Sequence, residues 1–400
     1  MSATAALDPR GDAARRDAWR RVRKLLVVRL DNLGDVLMAT PAIAALRAFL
    51  PDAHITLLAS PSGAAAVPFL ADVDAAIVFA APWVKGDGAV DGAALGRAEA
   101  ELVERLRAAR FDAAVILTTC TQSALPAALL CRLGGIPLRL AYSRENPYDL
   151  LSDWVPETDV LGDGMRHEVA RQLALVGRVG FHTADERLRF SYAVEDVARL
   201  QRAMQEAGLD PLRPYFVVHP GASAASRRWP AERFGLAAEE IARASGCVAV
   251  FTGDAAESDC VEAARAPMSA PSVSLAGRLG LGELGALIAG AELLVSNNTG
   301  PAHLAAALDT PVVDLYALTN PQHTPWKARS RVLNHDVPCR NCLQSQCPEG
   351  HHDCLRGVAA QEVVRASLEL MGPGPGVALP MPASIAAPWA GAPFAAEAPR

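Results

Sequence analysis

Short aliphatic segments alternate with helical segments along this chain, and the alternation occurs in two separate series. The first series predicts strands at residues 24–30, 54–59, 75–79 and 111–118, with helices at 41–50, 96–110 and 123–133. The second predicts strands at 215–219, 247–252, 272–276, 293–296 and 312–316, with helices at 231–244, 257–265, 281–289 and 302–308. Strands that alternate with helices form parallel sheets covered on both faces, so the pattern indicates two doubly wound α/β units.

The length and composition agree with two such units. A chain of 400 residues exceeds one ordinary domain, and a hydrophobic content of 51% with only 5% aromatic residues favours an aliphatic core. We therefore expect an N-terminal domain at residues 23–190 and a C-terminal domain at 191–371. Residues 1–22 are predicted to form a mobile arm, and residues 372–400, rich in proline and alanine, a disordered tail.

Charge and apolar stretches exclude several classes of protein. The formal net charge of -6 argues against a nucleic-acid-binding protein. Residues 1–24 are charged and lack the apolar centre of a secretory signal. The uncharged stretches 53–71 and 113–131 contain prolines that suit strand, loop and helix rather than a membrane span. We expect a cytoplasmic protein without a transmembrane segment, whose eight cysteines are reduced by default.

Ligands of parallel sheets bind beyond the carboxyl ends of the strands, and three loops at such positions stand out. The first, DNLGD at residues 31–35, lacks the GxGxxG pattern that binds a dinucleotide. Gly34 allows a tight turn, and Asp35 either caps the following helix or acts as a base that faces an interdomain cleft. Spacing alone favours the cap by roughly two to one.

The other two loops have features of an anion-binding site. Residues 217–230 (VVHPGASAASRRWP) place a small, hydroxyl-rich loop and two arginines before a helix, which fits a phosphate cradle and a solvated loop equally well. Residues 293–303 (LLVSNNTGPAH) place Thr299 and Gly300 at a helix N-terminus, where the charge of a diphosphate is favoured. His303 lies on the first turn of that helix, and a ligand contact is the better of its two interpretations.

Together these segments resemble a known family. KLLVVRLDNLGDVLMATPAIAALR, VVHPGASAASRRWPAERF and VSNNTGPAHLAAALDTPVV are similar, in order and approximate spacing, to the three signature segments of glycosyltransferase family 9, the ADP-heptose:lipopolysaccharide heptosyltransferases. The resemblance covers about residues 24–371. It implies the GT-B architecture, in which two Rossmann-like domains with doubly wound parallel sheets face each other across a cleft. It also implies that the N-terminal domain binds the acceptor and the C-terminal domain the nucleotide sugar.

The resemblance implies roles for individual residues. Asp35 matches the family's proposed general base, which reverses the preference for a cap, and Asp31 is the next carboxylate to consider. The residues implied to bind the donor are Gly34, Ser223, Arg227, Gly253, Asn298, Thr299, Gly300 and His303. Asn298 stands where members often have aspartate, so a carboxylate contact to the donor sugar is not implied here. Arg227 stands where some relatives have lysine, which keeps the charge and changes its geometry.

Half of the cysteines are concentrated in a short excursion at residues 338–356. The candidate metal ligands are Cys339, Cys342, Cys347 and Cys354, with His351 and His352 beside them. Their density and the C-x2-C pair fit one structural zinc or iron, and some related protein heptosyltransferases carry a cysteine finger that binds iron. The equal alternative is thiols that pack or form disulfides. In neither case is the cluster expected to be catalytic, because it follows the last Rossmann unit.

The resemblance implies an enzyme that moves a heptose from ADP-heptose to a hydroxyl of the lipopolysaccharide inner core with inversion, and that requires no cofactor for catalysis. The implied acceptor is lipid A-core at the inner face of the inner membrane, with peripheral contact of the protein there. The alternatives are a protein heptosyltransferase of the autotransporter type, suggested by the cysteine cluster, and a non-catalytic protein that binds nucleotide sugars, suggested by Asn298.

Overall fold

Two six-stranded parallel sheets form the centre of the molecule in the computed structural model, which describes residues 9–84, 95–162 and 164–372. The first sheet contains β1 (Lys24–Arg29), β2 (His54–Ala59), β3 (Ala75–Val78), β4 (Ala113–Ile116), β5 (Leu138–Ser143) and β6 (Asp153–Pro156). Its strand order is β3-β2-β1-β4-β5-β6, and each neighbouring pair is parallel. This is the order of a dinucleotide-binding sheet, with its switch point between β1 and β4.

The second sheet repeats the arrangement of the first. It contains β7 (Tyr215–His219), β8 (Val248–Phe251), β9 (Ser272–Ser274), β10 (Leu294–Asn297), β11 (Val312–Leu315) and β12 (Ser330–Leu333). The order is β12-β11-β10-β7-β8-β9, again entirely parallel. Read from its other edge, this sheet has the same relative order as the first, so the predicted fold class of two doubly wound parallel sheets is confirmed.

Helices cover both sheets. Those of the first half are α1 (Pro9–Arg20), α2 (Leu33–Phe49), α3 (Pro61–Ala64), α4 (Arg97–Ala109), α5 (Leu125–Leu133) and α6 (Glu168–Gly177). Those of the second half are α7 (Val194–Glu206), α8 (Ala231–Ser245), α9 (Ser258–Arg265), α10 (Leu281–Ala289), α11 (Gly300–Ala307), α12 (Asp353–Arg356) and α13 (Ala360–Met371). Within the described ranges, none of the helices is long and apolar enough to cross a membrane.

The aliphatic composition of the strands explains this layering. Five of the six residues of β1 and all five of β7 are buried, so each strand needs apolar cover on both faces. One hydrophobic cluster includes Val27 of β1, Leu37 of α2, Leu304 of α11 and Val217 of β7. The two halves therefore share part of their core, and α2 and α11 lie against each other where the halves meet.

The predicted mobile arm at residues 1–22 is wrong for the part that the structure describes. Residues Pro9–Arg20 form helix α1, and the side chain of Trp19 is fully buried, edge-on to Phe181 at 6.3 Å between ring centroids. One large apolar side chain among many charged residues carries no clear periodic signal, so only its tertiary partner reveals the helix. Residues 1–8 and most of the predicted tail, 373–400, lie outside the described residues.

The change from one half to the other falls in the middle of the chain. Helix α6 packs against α2, and helix α7 packs against α10. The chain therefore passes between the halves within residues 177–194. The boundary expected between residues 190 and 191 stays a prediction.

Candidate active site

A cavity of about 380 Å³ lies between the two sheets, next to the loops that follow β1, β7, β8 and β10. Asp35 lines it together with every residue implied to bind the donor: Gly34, Ser223, Arg227, Gly253, Asn298, Thr299, Gly300 and His303. Gly34 and His303 are far apart in the chain, yet both line this cavity. They come together because the loops that follow parallel strands lie at the carboxyl edge of each sheet.

Asp35 caps a helix and also faces this cavity. Asn32 is the N-cap of α2, and the Asp35 Oδ2 atom accepts a hydrogen bond from the Asn32 backbone N–H at 3.0 Å. The Asp35 Oδ1 atom pairs with the Arg29 Nη2 atom at 3.1 Å. The two interpretations of this carboxylate, cap and cleft-facing base, are therefore compatible in structural terms.

Arg29 holds three carboxylates in place beneath the loop. Its buried guanidinium lies 3.1 Å from Asp31, 3.1 Å from Asp35 and 3.0 Å from Glu168, the last contributed by α6. Burial lowers the pKa of Arg29, but the attraction of these carboxylates outweighs it and the pKa lies above its ordinary value. Arg29 therefore remains charged, and it orients Asp31 and Asp35 relative to each other. Sequence reasoning missed both Arg29 and Glu168.

The two aspartates of the loop have opposite pKa shifts. Burial raises the pKa of Asp35, but the charge of Arg29 and the Asn32 N–H outweigh it, so this pKa lies below its ordinary value. Burial raises the pKa of Asp31, the charge of Arg29 lowers it, and the negative charge of Asp35 raises it again. The pKa of Asp31 therefore lies above its ordinary value. Asp35 is therefore the carboxylate that stays ionised most readily.

The opposite wall is the N-terminus of α11. Thr299 is the N-cap residue of this helix, and Gly300 begins it. The Thr299 Oγ1 atom and the His303 Nδ1 atom are buried and have no hydrogen-bond partner among the described residues. Burial, followed by the neighbouring His323, lowers the pKa of His303 to about 3, so its imidazole is neutral near pH 7. A helix N-terminus with an unused hydroxyl and an unused ring nitrogen is suited to an anionic ligand.

The two walls touch at one point. A Cβ atom on Gly34 would lie 2.6 Å from the Cδ2 atom of His303, and a Cβ atom on Gly300 would lie 3.1 Å from the Cδ2 atom of Leu33. The close approach of α2 and α11 therefore leaves no room for a Cβ atom at position 34, whereas at position 300 the Leu33 side chain would have to shift slightly. This approach places Asp35 across the cavity from the start of α11.

The loop after β7 contributes Ser223 and Arg227. Arg227 ends a short 3-10 turn, Ala225–Arg227, and its neighbour Ser226 is buried. The Ser226 hydroxyl donates to the Gln344 carbonyl at 2.8 Å, and the Ser226 N–H donates to the Ser345 carbonyl at 3.1 Å. The Cys-rich excursion thus supports the loop that carries the cationic side chain of the site.

Several lining residues were not predicted. The His219 Nδ1 atom lies 3.1 Å from the Thr252 hydroxyl, and its Nε2 atom lies 3.8 Å from the Glu257 carboxylate. Four leucines, at 275, 279, 281 and 284, form an apolar wall beside this polar group. His219 and Thr252 lie at the ends of predicted strands, and this position could have identified them as lining residues. Glu257 and the four leucines lie beyond the strand ends, and their local sequence does not indicate a place in the site.

Asn298, the departure from the family pattern, has a structural partner. Its Nδ2 atom donates to the His323 carbonyl at 3.1 Å. An aspartate could not donate this hydrogen bond, so the amide ties the β10 loop to the loop that brings His323 to the cavity. His323 is a further lining residue that sequence reasoning missed, and burial lowers its pKa.

The cysteine cluster lies outside the cavity. All four of its cysteines are free thiols, and the Cys339 Sγ atom is 3.7 Å from the His351 Nε2 atom. Burial raises the pKa of the Cys354 thiol, to which Cys347, Cys339 and Cys342 contribute by their proximity. Across the described part of the chain, no three histidine, cysteine or acidic side chains are arranged to hold a metal ion. The zinc or iron site at these cysteines stays a prediction.

Comparison with known proteins gives consistent matches. Lipopolysaccharide heptosyltransferase 1 of Pseudomonas aeruginosa is 35% identical over 144 residues, which are 36% of this chain and 40% of that protein. Lipopolysaccharide heptosyltransferase 2 of Salmonella typhimurium is 27% identical over 352 residues, 85% of this chain and 96% of the relative. The solved structure of E. coli ADP-heptose LPS heptosyltransferase II has the same fold, with a TM-score of 0.66, 24% identity, and coverage of 87% and 98% of the two chains.

The family model that matches the chain spans the region from α4 to the cysteine cluster. Its description is glycosyltransferase family 9 (heptosyltransferase), and it matches residues 100–352, which include the second and third signature segments. Since this match covers more than half of the chain and the two-sheet fold agrees with it, the chain is a glycosyltransferase that belongs to glycosyltransferase family 9.

Proposed function

We propose that this enzyme transfers a heptose from ADP-heptose to a hydroxyl group of the lipopolysaccharide inner core, with inversion at the anomeric carbon. The names of its relatives support the donor and the acceptor class. One observation supports the site: the unused Thr299 hydroxyl and His303 ring nitrogen lie at the start of α11, across the cavity from Asp35. A diphosphate at this helix end would accept hydrogen bonds from the free N–H groups of the first turn.

The walls of the cavity suit the parts of such a donor. The leucine wall offers apolar cover for an adenine ring, and Glu257 offers a carboxylate that can accept hydrogen bonds from ribose hydroxyls. The diphosphate would meet the free N–H groups at the start of α11 and the guanidinium of Arg227. The heptose would then lie between the diphosphate and Asp35.

Asp35 is proposed to act as the general base. The acceptor oxygen attacks the anomeric carbon from the face opposite the diphosphate, and its proton passes to the Asp35 carboxylate. A new glycosidic C–O bond forms as the bond from carbon to phosphate oxygen breaks, and ADP leaves with the electron pair. Attack from the opposite face inverts the configuration. Arg227 and the positive end of α11 stabilise the charge that develops on the leaving diphosphate.

No divalent ion is required in this scheme. The donor loops contain no Asp-x-Asp sequence, and the neutralising charge comes from an arginine and a helix N-terminus. We place the reaction in the cytoplasm, with the enzyme peripherally associated with the inner face of the inner membrane, where a lipid A-core acceptor would present its sugars.

A donor screen that measures release of nucleoside diphosphate tests this proposal. We expect ADP-heptose with a lipid A-core acceptor to give turnover that persists in EDTA, and other nucleotide sugars to give little. Transfer to a protein acceptor alone would support a protein heptosyltransferase instead. If ADP-heptose binds but no acceptor leads to release of ADP, the protein is not a catalyst of this transfer. That result would support a non-catalytic binding protein.

A structural zinc or iron ion at Cys339, Cys342, Cys347 and Cys354 is a separate proposal. Four free thiols in one excursion and the short distance from Cys339 to His351 support it, although ligands would have to converge on binding. Elemental analysis of protein purified without chelators should give about one equivalent of metal. Absence of metal would leave the alternative of packed thiols.

A further inference from the structure

Glu168 is a fully buried carboxylate that the proposed mechanism does not use. Its Oε1 atom accepts hydrogen bonds from the Arg29 Nη1 atom at 3.0 Å and the Gln172 Nε2 atom at 2.8 Å, and the Arg171 Nη1 atom lies 3.5 Å away. Burial raises the pKa of Glu168, but the charges of Arg29 and Arg171 outweigh it, so this pKa lies below its ordinary value. Glu168 is therefore ionised near pH 7, although it reaches neither solvent nor the cavity between the sheets.

Arg29 joins Glu168 to the proposed base. Its Nη1 atom donates to Glu168 at 3.0 Å, and its Nη2 atom donates to Asp35 at 3.1 Å. Asp31 lies 3.1 Å from the Arg29 Nε atom, but that atom has no hydrogen-bond partner among the described residues, so this contact is an ion pair alone. A guanidinium is planar and rigid, so an acceptor fixed at one edge sets the direction of the donors at the other edge. Glu168 and Asp35 are therefore the two ends of one hydrogen-bonded chain of side chains.

The start of α6 also contacts the C-terminal half of the chain. The Glu168 N–H donates to the Gln322 carbonyl at 3.1 Å, and the His167 Nε2 atom lies 2.9 Å from the Thr324 carbonyl. Burial lowers the pKa of His167 to about 4, so its ring is neutral near pH 7. The Nδ1 atom of this ring accepts from the Val169 N–H at 3.2 Å, so the Nε2 atom carries the proton and donates. The loop between β11 and β12 therefore holds the backbone that carries Glu168.

We infer that Glu168 is a positioning residue for the general base: it acts through Arg29 to direct the Asp35 carboxylate, and the contact of α6 with the loop between β11 and β12 holds it in place for this role. Alignment of the base thereby depends on both halves of the chain, although these three side chains all belong to the first half. The inference rests on the proposed function, because a positioned base matters only if Asp35 takes a proton from an acceptor. A purely structural role would lower stability without changing kcat at temperatures well below unfolding.

Two substitutions of Glu168 separate positioning from folding. Glu168→Gln keeps an oxygen that can accept from Arg29, but a hydrogen bond to a neutral acceptor is about half as strong as one to a carboxylate. Glu168→Met keeps the approximate size of the side chain and removes the acceptor. We expect kcat to fall about 100-fold in Glu168→Met, because a displacement of the base near 1 Å has about that effect, and about tenfold or less in Glu168→Gln. The Kd of ADP, measured by titration calorimetry, should stay unchanged in both, because Glu168 does not line the cavity.

Asp153→Asn is the matched control for the loss of a buried carboxylate. Asp153 lies 2.5 Å from the Arg15 Nε atom, and neither residue belongs to the group of side chains around Arg29. This variant should lower the melting temperature, as the two Glu168 variants do, and should keep the wild-type kcat. A loss of kcat as large as that of Glu168→Met would contradict the inference.

His167→Asn tests the contribution of the C-terminal half. Asparagine still caps α6, but its shorter side chain cannot reach the Thr324 carbonyl while it does so. We expect kcat to fall several-fold with an unchanged Kd of ADP. A wild-type kcat in this variant would contradict the role of the loop between β11 and β12.

A double-variant cycle of unfolding free energies tests the link from Glu168 to Asp35 without turnover. Two like charges that share one guanidinium repel each other, so removal of the first relieves repulsion and removal of the second does not. Glu168→Gln combined with Asp35→Asn should therefore lose more stability than the sum of the single variants. Asp153→Asn combined with Asp35→Asn should be additive, because these two carboxylates share no partner.

A wild-type kcat in Glu168→Met, or additive stability losses in the cycle with Asp35, would overturn the inference. If Glu168→Met does not fold, a wild-type kcat in Glu168→Gln would overturn it. If ADP-heptose is turned over at the wild-type kcat in these variants, the inference is wrong and the proposed function stands. If the cycle is non-additive and the wild-type protein never consumes ADP-heptose, the proposed function is wrong and the link through Arg29 stands.

Discussion

Asp35 is held on two sides and open on a third. The Asn32 N–H and the Arg29 guanidinium each bind one of its oxygens, and the residue lines the cavity between the two sheets. Such double support restricts the rotation of the carboxylate, which is what a base needs in order to meet a proton at hydrogen-bond distance. Helix capping here contributes to positioning rather than competing with catalysis.

We expect Asp35→Asn to fold, to bind donor almost normally and to lose about 10²–10⁴-fold in turnover, because an amide cannot accept the proton. The amide oxygen of asparagine can still accept the hydrogen bond from the Asn32 N–H, and Arg29 keeps Asp31 and Glu168 as partners, so the loss of stability should be small. Turnover, thermal melting and donor titration measured together test this. A variant with wild-type turnover would exclude Asp35 as the base and leave Asp31 as the next candidate.

The opposite pKa shifts of the two aspartates predict the pH dependence of the reaction. A base must be deprotonated, so activity is lost as the pH falls through its pKa in the folded protein. Because the pKa of Asp35 lies below its ordinary value, kcat/KM should be flat on the acid side down to about pH 5. His303, with a pKa of about 3, adds no step above that pH. An acid limb near neutral pH that disappears in Asp31→Asn would identify Asp31 as the base instead.

Helix α2 shows why an element boundary can be misplaced by a local rule. The pattern of apolar residues predicts a helix over residues 41–50. The helix begins at Leu33, and Pro41 lies inside it. Proline cannot donate to the Leu37 carbonyl, but the Thr40 hydroxyl does so at 2.6 Å and replaces the missing bond. The substitute donor is adjacent in sequence, yet only the helical geometry reveals its role.

Two strands of the first sheet were not predicted for a different reason. Strand β5 contains the buried Arg139, whose guanidinium donates to the Leu150 and Asp149 carbonyls, so its sequence does not read as continuously apolar. Strand β6 has only four residues, begins with the buried Asp153 and ends in Pro156, which is tolerated because β6 is an edge strand. Polar residues in both strands are satisfied by tertiary partners that periodicity cannot identify.

The Cys-rich excursion predicts an effect on the donor loop. Ser226→Ala removes the hydroxyl that donates to the Gln344 carbonyl and leaves that carbonyl without this partner. We expect the turn that carries Arg227 to become less well positioned, and the donor KM to rise several-fold with a smaller change in kcat. Ser245→Ala is a matched control, since its hydroxyl bonds a carbonyl at the end of α8 outside the cavity. An unchanged donor KM in Ser226→Ala would show that the excursion does not support the site.

At the scale of the whole molecule, the sequence predicts which loops converge but not how closely the halves approach. Repeated strand–helix units place the loops at one edge of each sheet, and this accounts for the shared cavity. The distance between the halves depends on packing of α2 against α11, and the tight contact of Gly34 with His303 joins residues far apart in sequence. Arg29 and Glu168 were missed for the same reason, because their partnership exists only in the folded chain.

Gly34→Ala tests whether this contact sets the geometry of the site. The added Cβ would lie 2.6 Å from the His303 ring, which is buried and cannot easily move, so the first turn of α2 should retreat from α11. Asp35 would move with it, and a displacement near 1 Å can cost about 10²-fold in kcat/KM. The melting temperature should also fall. His303→Ala removes the ring, so the double variant should lose less stability than the sum of the two single variants. Additive stability losses, or wild-type kinetics in Gly34→Ala, would show that the two halves adjust freely and that this contact does not position the base.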